Sequence, residues 1–138
     1  MNLSTRFTAA LHVLTLLAFN REQAMTSEYI AGSVNTNPVV VRRLLAAFRR
    51  LGIVSSQPGT GGGWLLAADP RKLTLRDVRR AVNERSPFSM RSQPPNPMCP
   101  VGRNIQRALQ PVYDKAERAM EEQLAQTTIH SLLRAIRK

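Results

Sequence analysis

The residues of this chain that are best suited to chemistry are its arginines. The chain has 20 basic residues against 9 acidic ones, a formal net charge of +11 at pH 7, and nearly all of the basic residues are Arg. A guanidinium group presents a planar fork of donors that matches phosphate oxygens and the edge of guanine. This charge balance favours a polyanionic partner, with nucleic acid ahead of an anionic membrane surface.

Four of the arginines fall within one segment that has strong helix signals. Asn37-Pro38 supplies a cap followed by proline at the first helical position, which predicts a helix from Pro38 to about Leu51 that Gly52 ends. A second helix just before it and a short Gly/Asn turn complete a helix-turn-helix pattern. The predicted recognition residues are Asn37, Pro38, Val39, Val40, Arg42, Arg43, Arg49 and Arg50.

These residue types divide between reading bases and holding phosphates. Asn can pair with adenine, Arg with guanine, and a valine methyl can contact the methyl group of thymine. For Arg42 and Arg43 a base contact and a phosphate contact are equally plausible, whereas Arg49 and Arg50 fit phosphate better.

A glycine-rich loop follows the predicted recognition helix. Strand-like runs at 53–56 and 63–67 flank it, which predicts a hairpin of the kind that forms the wing of a winged helix. A nucleotide-binding loop would need a Lys-Ser/Thr ending and a helix directly after it, and both are missing. The predicted contacts to the DNA backbone are Arg6, Thr26, Ser27 and Tyr29, together with the wing residues Pro58, Gly59, Thr60, Gly61 and Gly62.

The remaining helices are predicted from apolar spacing and caps. Helices are expected from Ser4 to Phe19, from Ser27 to Ser33 with Thr26 as cap, and from the Thr74 to Asp77 capping box to about Glu84. A long helix is expected from Asn104 to about Gln126, with Pro111 either bending it or marking its first turn. Thr127 or Thr128 caps a last helix that carries Ile129, Leu132, Leu133 and Ile136.

The predicted fold is mainly α with a small β-hairpin, a winged helix-turn-helix followed by a long C-terminal dimerisation helix. The expected divisions are 1–85 for DNA binding, 86–103 for a proline-rich loop with Cys99, and 104–138 for the long helix and the C-terminal helix. The apolar stripe of the long helix is too long for a small wing domain to cover, which favours a homodimer; packing within one chain is the alternative.

Cys99 is the one cysteine of the chain, so a disulfide within the chain is excluded. A thiol beside a helix start, with Arg91 and Arg103 nearby in sequence, favours the thiolate, which makes Cys99 a candidate redox sensor. An inert thiol is the alternative reading. A cysteine nucleophile would need a neighbouring base, and the sequence offers none nearby.

Other catalytic or metal-binding patterns are absent from the sequence. His12 and His130 lie far apart on apolar helix faces, and no Ser/His/Asp set or usefully spaced pair of carboxylates occurs. The sequence therefore predicts no enzyme, no catalytic residue, no metal site and no cofactor. The apolar run Phe7 to Phe19 carries Thr8, His12 and Thr15 and is too short to span a bilayer, which favours the cytoplasm and no membrane partner.

Three segments resemble the Rrf2 family of bacterial regulators, which includes the IscR, NsrR and CymR group. They are the residues from Asn37 to Leu45, from Leu51 to Ser56, and from Gly59 to Ala67. The first is most similar to the YwnA-like or HypR-like branch. The resemblance implies dimers that cross long helices, a recognition helix in each of two major grooves, and wings at the flanking minor groove.

The sequence departs from the family pattern in two places. The iron–sulfur members carry three cysteines in the loop before the long helix, whereas this chain has Cys99 alone, so the resemblance does not extend to a cluster. Several members have a basic residue near the wing tip, where Pro58 stands here. In HypR-like members a disulfide reaches a cysteine in the partner's first helix; here only a bond between two Cys99 residues or a small-thiol adduct remains.

The resulting prediction is a DNA-binding transcriptional regulator, of repressor type, that binds a palindromic operator in double-stranded DNA as a homodimer. An oxidant or a small molecule is the expected signal. The alternative is a winged-helix adaptor that binds RNA or protein and has no sensing role. The low aromatic content, 5%, disfavours a single-strand reader that stacks bases.

Overall fold

The computed structural model describes residues 3–83 and 85–137, and these form six helices and one two-stranded hairpin. In chain order the elements are α1 Leu3–Phe19, α2 Ser27–Val34, α3 Pro38–Arg50, β1 Val54–Gln57, β2 Gly63–Leu66, α4 Leu75–Ala81, α5 Pro100–Ala125 and α6 Ile129–Ile136. The predicted class, mainly α with a small hairpin and a long C-terminal helix, is confirmed. Within the described residues, no helix has the length and apolar character needed to cross a bilayer.

The hairpin is joined to the chain that precedes α2. Strands β1 and β2 pair antiparallel, with Val54 opposite Leu66 and Gln57 opposite Gly63. The N–H of Trp64 donates to the carbonyl of Met25 at 2.8 Å, and the N–H of Met25 donates back at 3.1 Å. Strand β1 lies one residue later than predicted, and β2 ends one residue earlier.

The chain forms two compact units, residues 1–84 with 124–138 and residues 85–123. The core of the first unit contains Leu14, Ile30, Phe48 and Ile129, each fully buried. The sequence-based division grouped α6 with the long helix, whereas the structure places α6 in the first unit. The physical reason is the apolar face of α6, because Ile129 and Leu133 belong to the same buried cluster as α1.

Two helix starts follow the predicted capping chemistry. Thr74 and Asp77 form a reciprocal capping box at α4, with the Asp77 N–H donating to Thr74 Oγ1 at 3.1 Å and the Thr74 N–H donating to Asp77 Oδ2 at 3.0 Å. Thr128 caps α6, which decides between the two threonines offered by the sequence.

Two predicted helix bounds were wrong, the end of α4 and the start of α5. Helix α4 ends at Ala81 rather than near Glu84, because Asn83 adopts φ 52°, a left-handed conformation that a helix does not continue through; Glu84 itself lies outside the described residues. Helix α5 begins at Pro100, not Asn104, because proline is well tolerated in a first helical turn. Pro111 therefore lies inside α5 and does not mark its first turn.

The second unit is built around most of α5. The ring of Phe88 lies 5.8 Å from that of Tyr113, and the Ser86 hydroxyl donates to the Glu117 carboxylate. These contacts attach the segment before α5 to the helix. No residue of α5 itself is buried among those that the structure describes.

Candidate nucleic-acid interface

Helices α2 and α3 form the predicted helix-turn-helix, and a tight turn fixes the connection between them. Asn35 adopts φ 63° and ψ 52°, the left-handed conformation that ends α2, and the Thr36 N–H donates to the Ala31 carbonyl at 3.0 Å. Asn37 then begins α3, with its Oδ1 accepting from the Val39 N–H at 2.9 Å. The turn thus has local bonds that hold the start of α3.

Helix α3 separates an apolar face from a basic one. Val41, Leu44, Leu45, Ala47 and Phe48 are buried in the core of the first unit. The exposed residues on the other side, here called the arginine face, are Val39, Arg42, Arg43, Ala46, Arg49 and Arg50. Val39 and all four predicted arginines of α3 therefore face solvent.

Not every predicted recognition residue is equally available on this surface. Pro38 and Val40 are half-buried, and Val40 packs against the core, so its methyl groups are less accessible than those of Val39. Asn37 is exposed, but its Oδ1 is engaged by the cap. A bidentate pair with adenine needs both the oxygen and the nitrogen of an amide, so capping competes with that role for Asn37.

Arg42 makes an ion pair with α2 that the sequence analysis did not anticipate. Its Nη2 lies 2.5 Å from Oε1 of Glu28, and both side chains remain more than half exposed, at 52% and 65%. Glu28 is the one acidic residue between Thr26 and Leu51 in the sequence. A single acidic residue beside four arginines was the signal in the sequence that could have suggested an ion pair. Which arginine it pairs with depends on how α2 and α3 are packed.

The charge state of Glu28 is fixed by the same surroundings. A hydrogen bond from its own backbone amide, and then the Arg42 guanidinium, hold the pKa of the Glu28 carboxyl below its ordinary value. Because the pKa is lowered in the folded chain, the charged pair persists to a lower pH than it would with an unshifted glutamate. It is lost only below the lowered pKa.

The predicted backbone contacts divide into exposed and engaged residues. Thr26 is exposed and caps α2 by accepting from the Tyr29 N–H at 3.1 Å, and Tyr29 is 60% exposed. Ser27 is buried, at 8% exposure. Arg6 is half-buried, and its Nη1 donates to the Val82 carbonyl at 2.8 Å. The structure therefore gives Arg6 and Ser27 surroundings that favour a role in packing over phosphate contact.

The tip of the wing is exposed and carries no charge. Pro58, Gly59, Thr60 and Gly61 are exposed, and Gly62 is half-buried. The Gly62 N–H donates to the Gly59 carbonyl at 3.0 Å, which closes the turn. A contact from this tip would rely on the Thr60 hydroxyl and backbone amides rather than on a guanidinium.

Cys99 lies in the second unit, directly before α5. Its thiol is exposed, and its carbonyl accepts from the Arg103 N–H at 2.8 Å, as expected for a residue at a helix start. Cys99 and the arginine face belong to different compact units. It is the sole cysteine of the chain.

Comparison with known proteins identifies relatives over nearly the full length. The profile of the Rrf2 family, described as an iron-dependent transcriptional regulator, matches residues 3–135. YwnA of Bacillus subtilis (strain 168), named as an HTH-type transcriptional regulator, is 37% identical over 131 residues, which cover 95% of this chain and 96% of that protein.

Solved structures give the same picture of the fold. A crystal structure described as that of a DNA-binding protein is 36% identical, with a TM-score of 0.72 over 93% of this chain and 98% of the other. CymR, the global cysteine regulator of B. subtilis, is 23% identical, with a TM-score of 0.71 over 98% of each chain. The second likeness concerns the fold alone.

The iron in the family description does not fit the residues of this chain. Protein-bound iron–sulfur clusters are held mainly by cysteine thiolates, typically four of them, and this chain supplies one. Within residues 3–83 and 85–137, no three His, Cys, Asp or Glu side chains are grouped so that they could hold a metal ion.

Proposed function

The chain belongs to the Rrf2 family of transcriptional regulators, and from that premise we propose that it represses transcription by binding a palindromic operator in duplex DNA as a homodimer. The family consists of regulators rather than enzymes. The observation that carries the proposal is the arginine face of α3, which presents four arginines to solvent beside the wing of the same unit. We place this activity in the cytoplasm.

The chemistry of the arginine face supports contact with duplex DNA. An α-helix fits the major groove, and there each base pair presents a distinct pattern of donors and acceptors. Arg42 and Arg43 lie in the first half of α3 and are proposed to reach base edges, with Val39 beside them. Arg49 and Arg50, in the last turn, are proposed to hold phosphates, together with Thr26, Tyr29 and the backbone amides of the wing tip.

Two exposed apolar surfaces support the homodimer. On α5 the residues Ile105, Leu109, Val112 and Ala116 recur at steps of three and four, and Val112 is 58% exposed. In the first unit an apolar groove of about 600 Å³ runs between α1 and α6, with Phe19 and Ile136 at least half exposed. Surfaces of this kind are commonly covered by a second subunit, and a two-fold dimer would present two copies of α3 to two half-sites.

Selection from random-sequence duplex DNA by the full chain tests the function. The recovered sequences are expected to share an inverted repeat whose half-sites are about one helical turn apart. Recovery of no common sequence, with equal retention of single-stranded RNA, would instead favour an RNA-binding adaptor.

Control by a thiol at Cys99 is a further part of the proposal. The supports are its exposure and its place at the start of α5, the helix proposed to mediate dimerisation. Oxidation would join the Cys99 thiols of two copies or attach a small thiol, because no second cysteine exists in the chain.

The prediction for Cys99 compares four samples. A mild peroxide is expected to change operator affinity of the wild-type protein several-fold and to leave the affinity of the Cys99→Ser variant unchanged. Fluorescence anisotropy with a labelled operator measures both proteins before and after treatment, and a reductant should restore the wild-type value. Equal affinities in all four samples would show that Cys99 is not a sensor.

A further inference from the structure

The ion pair between α2 and α3 places an acidic side chain at a surface that otherwise collects positive charge. We propose that Glu28 determines sequence specificity by acting through Arg42, holding the guanidinium ready for a base edge and away from the phosphates. Glu28 is in this sense a positioning residue. The inference rests on the proposed function, since it concerns how the arginine face would discriminate one DNA sequence from another.

The geometry of the pair leaves Arg42 able to bind a second partner. Its contact with Glu28 joins one oxygen, Oε1, to one nitrogen, Nη2. A guanidinium has five N–H donors on three nitrogens, so the rest of the fork can still meet an acceptor. The side chain of Arg42 is 52% exposed despite the pair. Glu28 can therefore orient the fork without occupying it.

Both ends of the pair stand on helices whose starts are capped. Thr26 caps α2 two residues before Glu28, and Asn37 caps α3 five residues before Arg42. The left-handed Asn35 fixes the turn between the helices. Because the backbone is held on both sides, the pair restrains mainly the long Arg42 side chain. Restraint before binding reduces the conformational entropy that is lost on binding.

The charge of Glu28 has a second effect, which is on non-specific DNA binding. Non-specific binding depends on cations that neutralise phosphates, and the carboxylate of Glu28 offsets the charge of Arg42, with which it is paired. Among the four arginines of α3, Arg42 is the one for which the structure shows a carboxylate partner within the described residues. Specificity is a difference between two affinities, so weakening the non-specific one raises it.

Substituting Glu28 by glutamine tests this inference. Glu28→Gln is expected to strengthen binding to random-sequence duplex and to lower the ratio of operator to random-sequence affinity by roughly five- to tenfold. For random-sequence DNA, the slope of log K against log salt concentration should become steeper by about one for each chain. The reason is that Arg42 is then free to neutralise a phosphate. The operator used is the one that the wild-type protein selects.

A double-mutant comparison separates action through Arg42 from a general charge effect. In an Arg42→Ala background, Glu28→Gln is expected to leave the affinity ratio unchanged. Glu22→Gln, which removes an equal charge from an exposed residue outside α2 and α3, is the matched control and should not alter the ratio in either background.

The outcomes distinguish this inference from the proposed function. If the wild-type protein selects an operator but Glu28→Gln keeps the wild-type ratio, the role of Glu28 is refuted and the proposed function stands. The same holds if the effect of Glu28→Gln persists without Arg42. If the wild-type protein binds no duplex DNA, the proposed function fails and the inference fails with it.

Discussion

Replacing Arg42 with alanine is expected to weaken operator binding by about 1–3 kcal/mol per half-site and to relax the base preference at one position in each half-site. The reason is its place in the first half of α3 on the arginine face, with part of the guanidinium fork accessible beside Glu28. Competition binding against operators that are changed one base pair at a time measures both effects.

Arg49→Ala is the matched comparison for Arg42→Ala. Arg49 is exposed on the same helix but lies in its last turn, where a phosphate contact is expected. Its loss should weaken binding to all sequences by a similar factor and reduce the salt slope by about one. If Arg42→Ala also weakens every sequence equally, Arg42 holds a phosphate and does not read a base.

The second large effect is expected from a glycine at the base of the wing. In Gly63→Ala the new Cβ would lie 2.4 Å from the carbonyl oxygen of Met25, and Gly63 has φ +147°, which L side chains rarely adopt. The substitution should disrupt the paired backbone hydrogen bonds between Met25 and Trp64. We expect the free energy of unfolding to fall by about 2–4 kcal/mol, since backbone strain and lost hydrogen bonds add.

Gly63→Ala should also weaken DNA binding, because the hairpin is bonded to the chain just before α2. Met25 lies just before Thr26 and α2, so a displaced β2 alters both the wing and the start of the helix-turn-helix. Operator affinity should therefore fall even at a temperature where the variant is folded. Urea unfolding and anisotropy measure the two quantities.

Gly32→Ala is the control for a glycine without such contacts. A Cβ at Gly32 meets nothing within 4 Å, and the residue lies in α2, so alanine should stabilise the protein by about 0.5–1 kcal/mol. Equal stabilities of Gly63→Ala and the wild type would contradict the proposed strain at the base of the wing.

Local signals in the sequence predicted most of the fold. Asn37-Pro38 and the Thr74 to Asp77 box placed the starts of α3 and α4 correctly, because caps are made by neighbouring residues. The end of α4 and the start of α5 were missed. Helix α4 ends just before the left-handed Asn83, where the sequence has no glycine to mark a helix end. Helix α5 begins at Pro100, which was hard to distinguish from the other prolines of the preceding loop.

The candidate site was predictable where it depended on one helix and not where it depended on distant partners. The four arginines of the arginine face were identified from the sequence of α3 alone. The engagement of Arg6 by Val82 was not, since 76 residues separate them. The contact between Glu28 and Arg42 likewise depends on the packing of α2 against α3. The burial of Ser27 also depends on tertiary packing, which its position directly after a helix cap does not indicate.

One proposal underlies the function of this chain: two copies of it read two half-sites of one operator. Its most direct test is the mass of the complex with the selected operator, measured together with a hydroxyl-radical footprint of that DNA. We expect two chains per duplex and two protected regions related by two-fold symmetry, about one helical turn apart. One chain per duplex, or a single protected region, would contradict it.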